Sequence, residues 1–407
     1  MYSFCVPRDT VFGPGTLSEL KNLPGQCAVL CVGKYSQVEE SIIQNSIQFL
    51  QDGGMDVHIH QGLCTKMDPI TMGRRADILH KIRPDWIIAL GDNSVIDAAK
   101  ILWMRYEHSD LSLEQLKKVY SLPPLRQHSC FCSVPTSIDG IDAVTSYSVF
   151  LEEQERRIIP IADLELVPDR ALFDPDILRK KESRSVAEDG FSCLAAAVEA
   201  YLSISHNDYS DTLALRSIAL IGNNIHDAVA GESPAMERML QATIYAGAAL
   251  STSAGGLTHC LSHALVPFSL GQGILIPHGL ICAIALPRVV CFIGKDPDTA
   301  KRCMDILSVL GIHVSGEKES IPALTGWLNQ LRMDFELPED LRKYRTSKSK
   351  SGRSGRTAAE DDFRSLRMEE KILSDPFLAG SPCLPSIAEA EALVQCCFDS
   401  SLSPYHR

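Results

Sequence analysis

Apolar runs alternate with amphipathic segments over the first part of the chain. Continuous apolar runs occur at residues 28–33, 84–91 and 129–134. Such runs are typical of strands that are buried on both faces of a parallel sheet. Segments with helical periodicity separate them, at residues 41–51 and 72–82. This alternation predicts an open parallel α/β sheet.

The pattern changes after about residue 175, where the strand-like runs stop. From residue 183 onward the apolar positions recur with helical spacing, over residues 186–203, 210–229 and 236–251. A polar segment rich in glycine and serine, at 346–362, is expected to be a mobile loop, with a nucleic-acid-binding tail as the alternative. We therefore predict an α/β + all-α protein. An N-terminal open parallel, Rossmann-like nucleotide-binding sheet (1–175) is followed by a C-terminal all-helical domain (176–407).

Composition and charge narrow the choice of partners. The 407 residues carry a formal net charge of -12, which argues against nucleic acid and anionic membranes. The first residues lack the basic start and apolar core of a signal peptide, and no apolar run is clean enough to span a bilayer. The 14 cysteines are scattered without a CxxC pair, which indicates reduced thiols. These features predict a cytoplasmic protein that binds neither nucleic acid nor a membrane.

One predicted strand ends in a turn that has the form of an anion site. The strand at 84–91 runs into Gly91, Asp92, Asn93 and Ser94, which open a helix. Backbone N–H groups at a helix start favour an anion such as a pyrophosphate. The segment is neither a GxGxxG fingerprint nor a P-loop, so a plain turn capped by Asn93 or Ser94 is the alternative.

A second strand-end loop carries small hydroxyl residues. Thr136 and Ser137 follow the apolar run at 129–134. In an open parallel sheet, ligands bind where the loops at the carboxyl ends of the strands converge. We therefore expect this loop to lie beside the turn at 91–94 and to share one ligand with it.

Three histidines lie within the apolar stretch at 255–287. His259 and His263 are four residues apart and share one helix face, and His278 opens a second apolar run directly after Pro277. Two helix faces with imidazoles and little other charge predict a lined cavity. A buried helical hairpin with satisfied core histidines is the alternative.

Six segments, taken in order, resemble the iron-containing (group III) alcohol dehydrogenase family of the dehydroquinate-synthase-like superfamily. They are FGPG at 12–15, GDNSVIDAAK at 91–100, VPTS at 134–137, FDP at 173–175, VEAY at 198–201 and the run at 256–287. The resemblance spans residues 10–330. It implies a nucleotide domain and a helical domain with the active site between them. It also implies hydride transfer between NAD(P) and an alcohol/aldehyde pair, and a homodimer.

The resemblance also implies which residues contact the dinucleotide. The family's GGGS turn corresponds here to Gly91, Asp92, Asn93 and Ser94, with Asp97 and Lys100 matching. The family's PTTAGTGSE loop agrees only at its ends, which leaves four residues for the nucleotide: Thr136, Ser137, Thr145 and Val149. A carboxylate at position 92 would repel a pyrophosphate unless it points away.

The end of the second strand bears on the choice between NAD and NADP. Family members that prefer NAD often carry an acid there, whereas this chain has Gly33 followed by Lys34. No carboxylate repels a 2′-phosphate at this place, and the lysine is able to pair with one. We therefore expect NADP to be favoured over NAD.

The metal site departs most from the family pattern. The family binds divalent iron or zinc through an Asp and a His four residues apart on one helix, and through two later histidines. The motif alignment places Ser192 and Ala196 at the first two positions, and His259 and His278 at the last two. Two imidazoles alone bind such an ion weakly, so we expect metal to be absent or weakly held. Substitution by Asp189 or Glu188 is the alternative.

Three functions fit these residues. The first is a metal-independent, NAD(P)H-dependent oxidoreductase of an alcohol, aldehyde or ketone. His263, which aligns with a histidine near the nicotinamide, supplies the proton, and His259 and His278 are the other candidate acid/base groups. The second is a non-redox or ligand-binding member of the family. The third is an ordinary metal enzyme with rearranged ligands.

Overall fold

The computed structural model describes residues 3–33, 39–64, 69–152, 156–271, 276–348 and 367–402. Lys34, which was expected to pair with a 2′-phosphate, lies outside these ranges. The loop expected at 346–362 also lies outside them, except for its first three residues, which end the helix Leu341–Lys348.

Six of the described strands form one parallel sheet. The strands are β1 (Asp9–Phe12), β2 (Cys27–Val32), β3 (Asp56–Gln61), β4 (Trp86–Gly91), β5 (Cys130–Pro135) and β8 (Arg170–Phe173). Their order across the sheet is β1-β8-β5-β4-β2-β3, and every pairing is parallel. A separate antiparallel pair consists of β6 (Tyr147–Glu152) and β7 (Arg157–Ala162).

The central strands are the continuous apolar runs of the sequence. β4 is buried at every position, and β2 and β5 are buried at every position after the first. Helices cover both faces of these strands, so each side chain contributes to a core whichever way it points. The edge strands are more exposed, since β1 has a single partly buried position and β3 has one buried position, His60, and two partly buried ones. The predicted α/β sheet is confirmed.

Four helices accompany the sheet: α1 (Glu40–Asp52), α2 (Pro69–Ile82), α3 (Asn93–Glu107) and the short α4 (Leu113–Leu116). From residue 183 onward the described chain is helical. It contains α5 (Ser183–Leu202), α6 (Asp208–Val229), α7 (Ser233–Ser253), α8 (Leu257–Gly271), α9 (His278–Ile293), α10 (Pro297–Val309), α11 (Glu317–Asp334), α12 (Leu341–Lys348), α13 (Met368–Leu373) and α14 (Ile387–Phe398). The predicted order of sheet followed by helices is confirmed.

Helix α5 lies at the centre of the helical part, where it packs against α6, α7 and α9. Its contact with α9 is made by backbone, because a Cβ atom added at Gly279 would collide with the carbonyl oxygen of Glu188. The spacing between these two helices is therefore fixed by the absence of a side chain. None of the helices in the described ranges has the length and apolarity that a bilayer crossing requires.

Candidate active site

The turn after β4 is capped by its own carboxylate. Helix α3 begins at Asn93, so Asp92 is the N-cap residue rather than Asn93 or Ser94, and its side chain accepts a hydrogen bond from Val95 N at 3.2 Å. Glycine is required just before the cap, because a Cβ atom on Gly91 would lie 2.5 Å from Val95 Cβ. The Asp92 carboxylate is thus turned towards the N–H groups of its own helix, where a negative charge is stabilised.

The two predicted strand-end loops meet at this turn. Thr136 N donates to Gly91 O at 2.9 Å, and Asp142 N donates to Asn93 Oδ1 at 3.3 Å. The buried hydroxyl of Ser137 has no hydrogen-bond partner among the described residues. An orphaned hydroxyl beside a helix start fits the phosphate groups of a dinucleotide. Gly33, Ser94 and Thr136 lie at this same carboxyl edge of the sheet.

Asp92 places a negative charge next to that phosphate position, and this predicts a gain of affinity on neutralisation. The Asp92→Asn variant keeps a good N-cap but removes the charge. We expect its Kd for NADPH to be about 3- to 10-fold lower, with the gain shrinking as salt is raised. Calorimetric titration at two salt concentrations measures both effects. Asp110→Asn, an exposed acid beyond the other end of α3, is the control. Unchanged affinity in Asp92→Asn would contradict the prediction.

A buried lysine holds the second loop in place. Lys100 of α3 is fully buried, and its Nζ donates to Thr145 O and Tyr147 O, both at 2.7 Å. Burial lowers the pKa of Lys100 to about 8, although the nearby Asp142 and Asp97 carboxyls oppose this shift. Burial, reinforced by Asp142, raises the pKa of Asp97 well above its usual value.

Three of the predicted nucleotide residues belong to this buried cluster. The Thr145 hydroxyl donates to Asp142 Oδ1 at 3.0 Å, and the Val149 N–H bonds the Asp97 carboxyl. Asp97 itself is 2% exposed. In this arrangement Thr145, Val149 and Asp97 stabilise the loop through buried hydrogen bonds.

His259 of α8 is held by a buried carboxylate. Its Nδ1 contacts Glu199 Oε2 of α5, and Glu199 Oε1 accepts from the backbone N–H of Thr258. Burial lowers the pKa of His259, but the charge and hydrogen bond of Glu199 outweigh this effect, so the pKa lies above its usual value. The second ring nitrogen, Nε2, is buried and has no hydrogen-bond partner within the described ranges.

The other two predicted histidines lie beside His259. The ring centroids of His263 and His278 are 6.4 and 5.5 Å from that of His259. His263 Nδ1 contacts Asp375 Oδ2 at 2.7 Å. Both nitrogens of His278 are engaged, Nδ1 by Ser262 Oγ and Nε2 by Cys282 Sγ, each at 3.2 Å. Burial and the neighbouring His259 and His263 lower the pKa of His278 to about 3.

Phe377 connects the histidines to the sheet side of the molecule. Its ring lies 5.3 Å from His263, 5.8 Å from His259 and 4.7 Å from Tyr147, measured between centroids. Tyr147 begins β6, directly after the loop that Lys100 supports. The contact between Phe377 and Tyr147 therefore connects the acid/base histidines to the loop that carries the predicted nucleotide-binding residues.

Neither position of the family's first two metal ligands carries a carboxylate or an imidazole. Ala196 is fully buried, and Ser192 Oγ donates to Asp139 Oδ1 at 2.6 Å. Asp189, one of the two residues named as the alternative ligand, accepts a hydrogen bond from Asp139 N, and burial raises the pKa of Asp189 to about 7. Glu188, the other alternative, accepts a hydrogen bond from Arg184 Nε at 2.9 Å.

The side chains present do not fit a resident iron or zinc ion. Within the described ranges, no three histidine, cysteine or acidic side chains are grouped so as to hold a metal. Of the two retained histidines, only His259 has a ring nitrogen without a partner among the described residues. One imidazole nitrogen falls short of the three or four donors that these ions require.

Sequence reasoning missed the residues that orient the imidazoles. Glu199 is the sole acid between residues 190 and 202, in an otherwise apolar helix. A carboxylate buried in an apolar helix requires a hydrogen-bond or charge partner, so Glu199 was recognisable from the sequence as a residue that orients another polar group. Asp375 gave no such signal, because an Asp before Pro376 is typical of a helix cap, and it does cap Phe377 N as well. Phe377 and Cys282 look like ordinary core residues in the sequence.

In this chain an open parallel sheet is followed by a helical bundle that supplies buried imidazoles. This is the architecture of an oxidoreductase with a nucleotide-binding domain and a helical domain. Residues 7–175 match the family model "Iron-containing alcohol dehydrogenase", and residues 186–370 match "Fe-containing alcohol dehydrogenase family, C-terminal". The chain belongs to the iron-containing alcohol dehydrogenase family, whose members are oxidoreductases that act on alcohols and aldehydes with NAD(P). The predicted family is therefore confirmed.

Individual relatives agree with this assignment. The chain is 30% identical to the NADPH-dependent butanol dehydrogenase of Clostridium saccharobutylicum, over 84% of this chain and 87% of that protein. It is 25% identical to an alcohol dehydrogenase of Thermococcus barophilus, over 98% and 100% of the two chains. Among solved structures, that of a 1,3-propanediol oxidoreductase has a TM-score of 0.85 at 24% identity, covering 98% and 100% of the chains. This last similarity concerns the fold.

Proposed function

We propose that this protein is an NAD(P)H-dependent oxidoreductase that interconverts an alcohol with an aldehyde or ketone and that uses imidazoles instead of a metal ion. The observation that carries the proposal is the buried Nε2 of His259, which has no partner among the described residues while Glu199 holds Nδ1. When the ring is protonated, Nε2 is a donor without an acceptor, and a carbonyl oxygen supplies one.

NADPH, when bound, supplies a hydride to the carbonyl carbon. The chain's part is to place a proton and to exclude water. Protonated His259 donates from Nε2 to the carbonyl oxygen as negative charge develops on it, and Glu199 keeps the ring charged and oriented. His263, which the sequence pattern had suggested as the proton source, is oriented by Asp375 and lies beside His259, so its role is to pass a proton from solvent to the neutral His259 after the transfer. Phe377 covers both rings and keeps the reaction in a water-poor environment.

The similarity to a butanol dehydrogenase named as NADPH-dependent supports both the reductant and a small aliphatic substrate. The orphaned Ser137 hydroxyl beside the β4 turn supports the place of the phosphates. His278 is neutral at its lowered pKa and bonded on both sides, so its part is to hold Ser262 and Cys282 in place.

Metal independence is tested on protein purified without chelator. We expect iron and zinc contents far below one ion per chain, and NADPH-consuming turnover of small aldehydes that survives dialysis against EDTA, because the donor set is too small to retain the ion. Elemental analysis and NADPH absorbance measure these quantities, with His263→Ala as the low-activity control. A stoichiometric metal whose removal abolishes turnover would overturn the proposal.

A second function is favoured by one observation, the Asp92 carboxylate at the phosphate turn. A negative charge there opposes a pyrophosphate, as expected for a member that binds another ligand or catalyses a non-redox step. Failure of the wild-type protein to bind either dinucleotide at millimolar concentration would support this second function.

A further inference from the structure

A half-buried arginine lies at the carboxyl edge of the sheet, beyond the predicted phosphate turn. Arg75 belongs to α2, and its Nη1 donates to the carbonyl oxygen of Gln61 at 2.8 Å. Gln61, the last residue of β3, pairs with Val32 at the end of β2. The guanidinium group therefore lies beside the carboxyl ends of β2 and β3.

This arginine has no counter-ion among the described residues. The Gln61 carbonyl is the one hydrogen-bond acceptor that it contacts there, and no carboxylate forms an ion pair with it. The titratable groups that influence the pKa of Arg75 are the thiols of Cys31 and Cys64. Burial raises the pKa of the Cys31 thiol to about 12, so this thiol supplies no negative charge at neutral pH. A partly desolvated guanidinium with a single neutral acceptor indicates a place for an anion.

His60 provides a second, independent sign of a ligand at the same corner. It is 7% exposed, and its buried Nε2 has no hydrogen-bond partner in the described part of the chain. Burial, together with the charge of Arg75, lowers the pKa of His60 to about 4. The ring is therefore neutral and able to donate one hydrogen bond without adding charge.

The order of the strands gives the anion its identity. The turn that fits a pyrophosphate follows β4, and β2 and β3 are the next two strands on that side of the sheet. Neighbouring strands are about 4.8 Å apart, so the corner lies about 10 Å from the turn. In doubly wound sheets the adenosine ribose extends from the pyrophosphate across the end of the adjacent strand. The ribose would then reach the ends of β2 and β3.

We propose that Arg75 binds the 2′-phosphate of NADPH, with His60 as a neutral second donor, and that this contact makes the protein select NADP over NAD. The inference rests on the proposed function. Arginine presents paired N–H donors that match a phosphate, and Gly33 places no carboxylate against it. The preference for NADP over NAD therefore depends on Arg75 of α2 and His60 of β3, in addition to the end of β2, where the sequence pattern had suggested it.

The test compares NADPH and NADH binding by calorimetry. We expect wild-type protein to bind NADPH at least tenfold more tightly than NADH, and adenosine 2′,5′-bisphosphate more tightly than ADP. Arg75→Gln should weaken NADPH binding by at least tenfold and change NADH binding by less than twofold. Arg75→Lys should fall in between, because it keeps the charge but loses the paired donors. Arg74→Gln is the matched control, since Arg74 is the exposed neighbour on the same helix.

Each outcome separates this inference from the proposed function. Equal loss of NADPH and NADH binding, or no loss, in Arg75→Gln would overturn the 2′-phosphate assignment while leaving the reductase proposal intact. Failure of wild-type protein to bind either dinucleotide would overturn the reductase proposal itself. Should Arg75→Gln not fold, as circular dichroism would reveal, the bisphosphate comparison on wild-type protein and the Arg75→Lys variant decide the question. Equal binding of adenosine 2′,5′-bisphosphate and ADP would then refute the assignment.

Discussion

Replacing His259 by glutamine is expected to lower kcat by about 10²- to 10³-fold and to change KM little. The glutamine amide still donates to Glu199, so no buried carboxylate is left without a partner. It has no second nitrogen on the far side of a ring, however, and it carries no charge. The variant therefore loses the donor that faces the developing alkoxide but keeps the packing. Steady-state kinetics with NADPH and a small aldehyde measure the effect.

The matched control is His226→Gln, which makes the same substitution at an exposed histidine that pairs with Asp334 at 3.1 Å. It should leave kcat unchanged. Dinucleotide binding by His259→Gln should equal that of wild type, since the histidines lie beyond the phosphate turn. A kcat within about threefold of wild type would refute the role assigned to His259.

Replacing Lys100 by methionine is expected to lower the free energy of unfolding by about 3–5 kcal/mol. Methionine fills a similar volume but leaves the carbonyl oxygens of Thr145 and Tyr147 without a donor in a fully buried place. It also leaves Asp97 and Asp142 without their nearby cation. The loop at 136–146 should loosen as a result. A lower urea midpoint, followed by fluorescence and circular dichroism, measures the loss.

Lys117→Met is the control for that experiment. Lys117 is a partly exposed lysine that pairs with Glu114 on the surface, at 2.9 Å. Surface pairs of this kind contribute little, so Lys117→Met should change the free energy of unfolding by less than about 0.5 kcal/mol. Equal midpoints for the two variants would show that the buried lysine is not a stabilising anchor.

The fold was predictable where one physical signal dominates. β2, β4 and β5 are buried on both faces, so their sequences are continuous apolar runs that no surface segment imitates. The long helices α5, α6 and α7 likewise follow the helical spacing of the chain. Strand β7 was not predicted, because a short charged turn precedes it and its pairing with β6 is set by tertiary packing.

The candidate site was predictable in its imidazoles but not in their partners. His259, His263 and His278 share one apolar stretch, whereas the carboxylates of Glu199 and Asp375 lie 60 and 112 residues away from the histidines that they hold. Local periodicity carries no information about such pairings. Asp92 shows the converse case, in which the position was recognised but the direction of the side chain depended on which residue begins the helix.

The missing side chain at Gly279 has a consequence for protein engineering. It brings the backbones of α5 and α9 together, and side chains of the two helices meet across this contact, where Cys282 of α9 is bonded both to Ser192 of α5 and to His278. The main chain therefore sets the separation of the two helices. Substitutions at Ser192 or Cys282 should alter the polarity of the contact at a constant helix separation, whereas a single methyl group at residue 279 would act as a wedge and increase that separation.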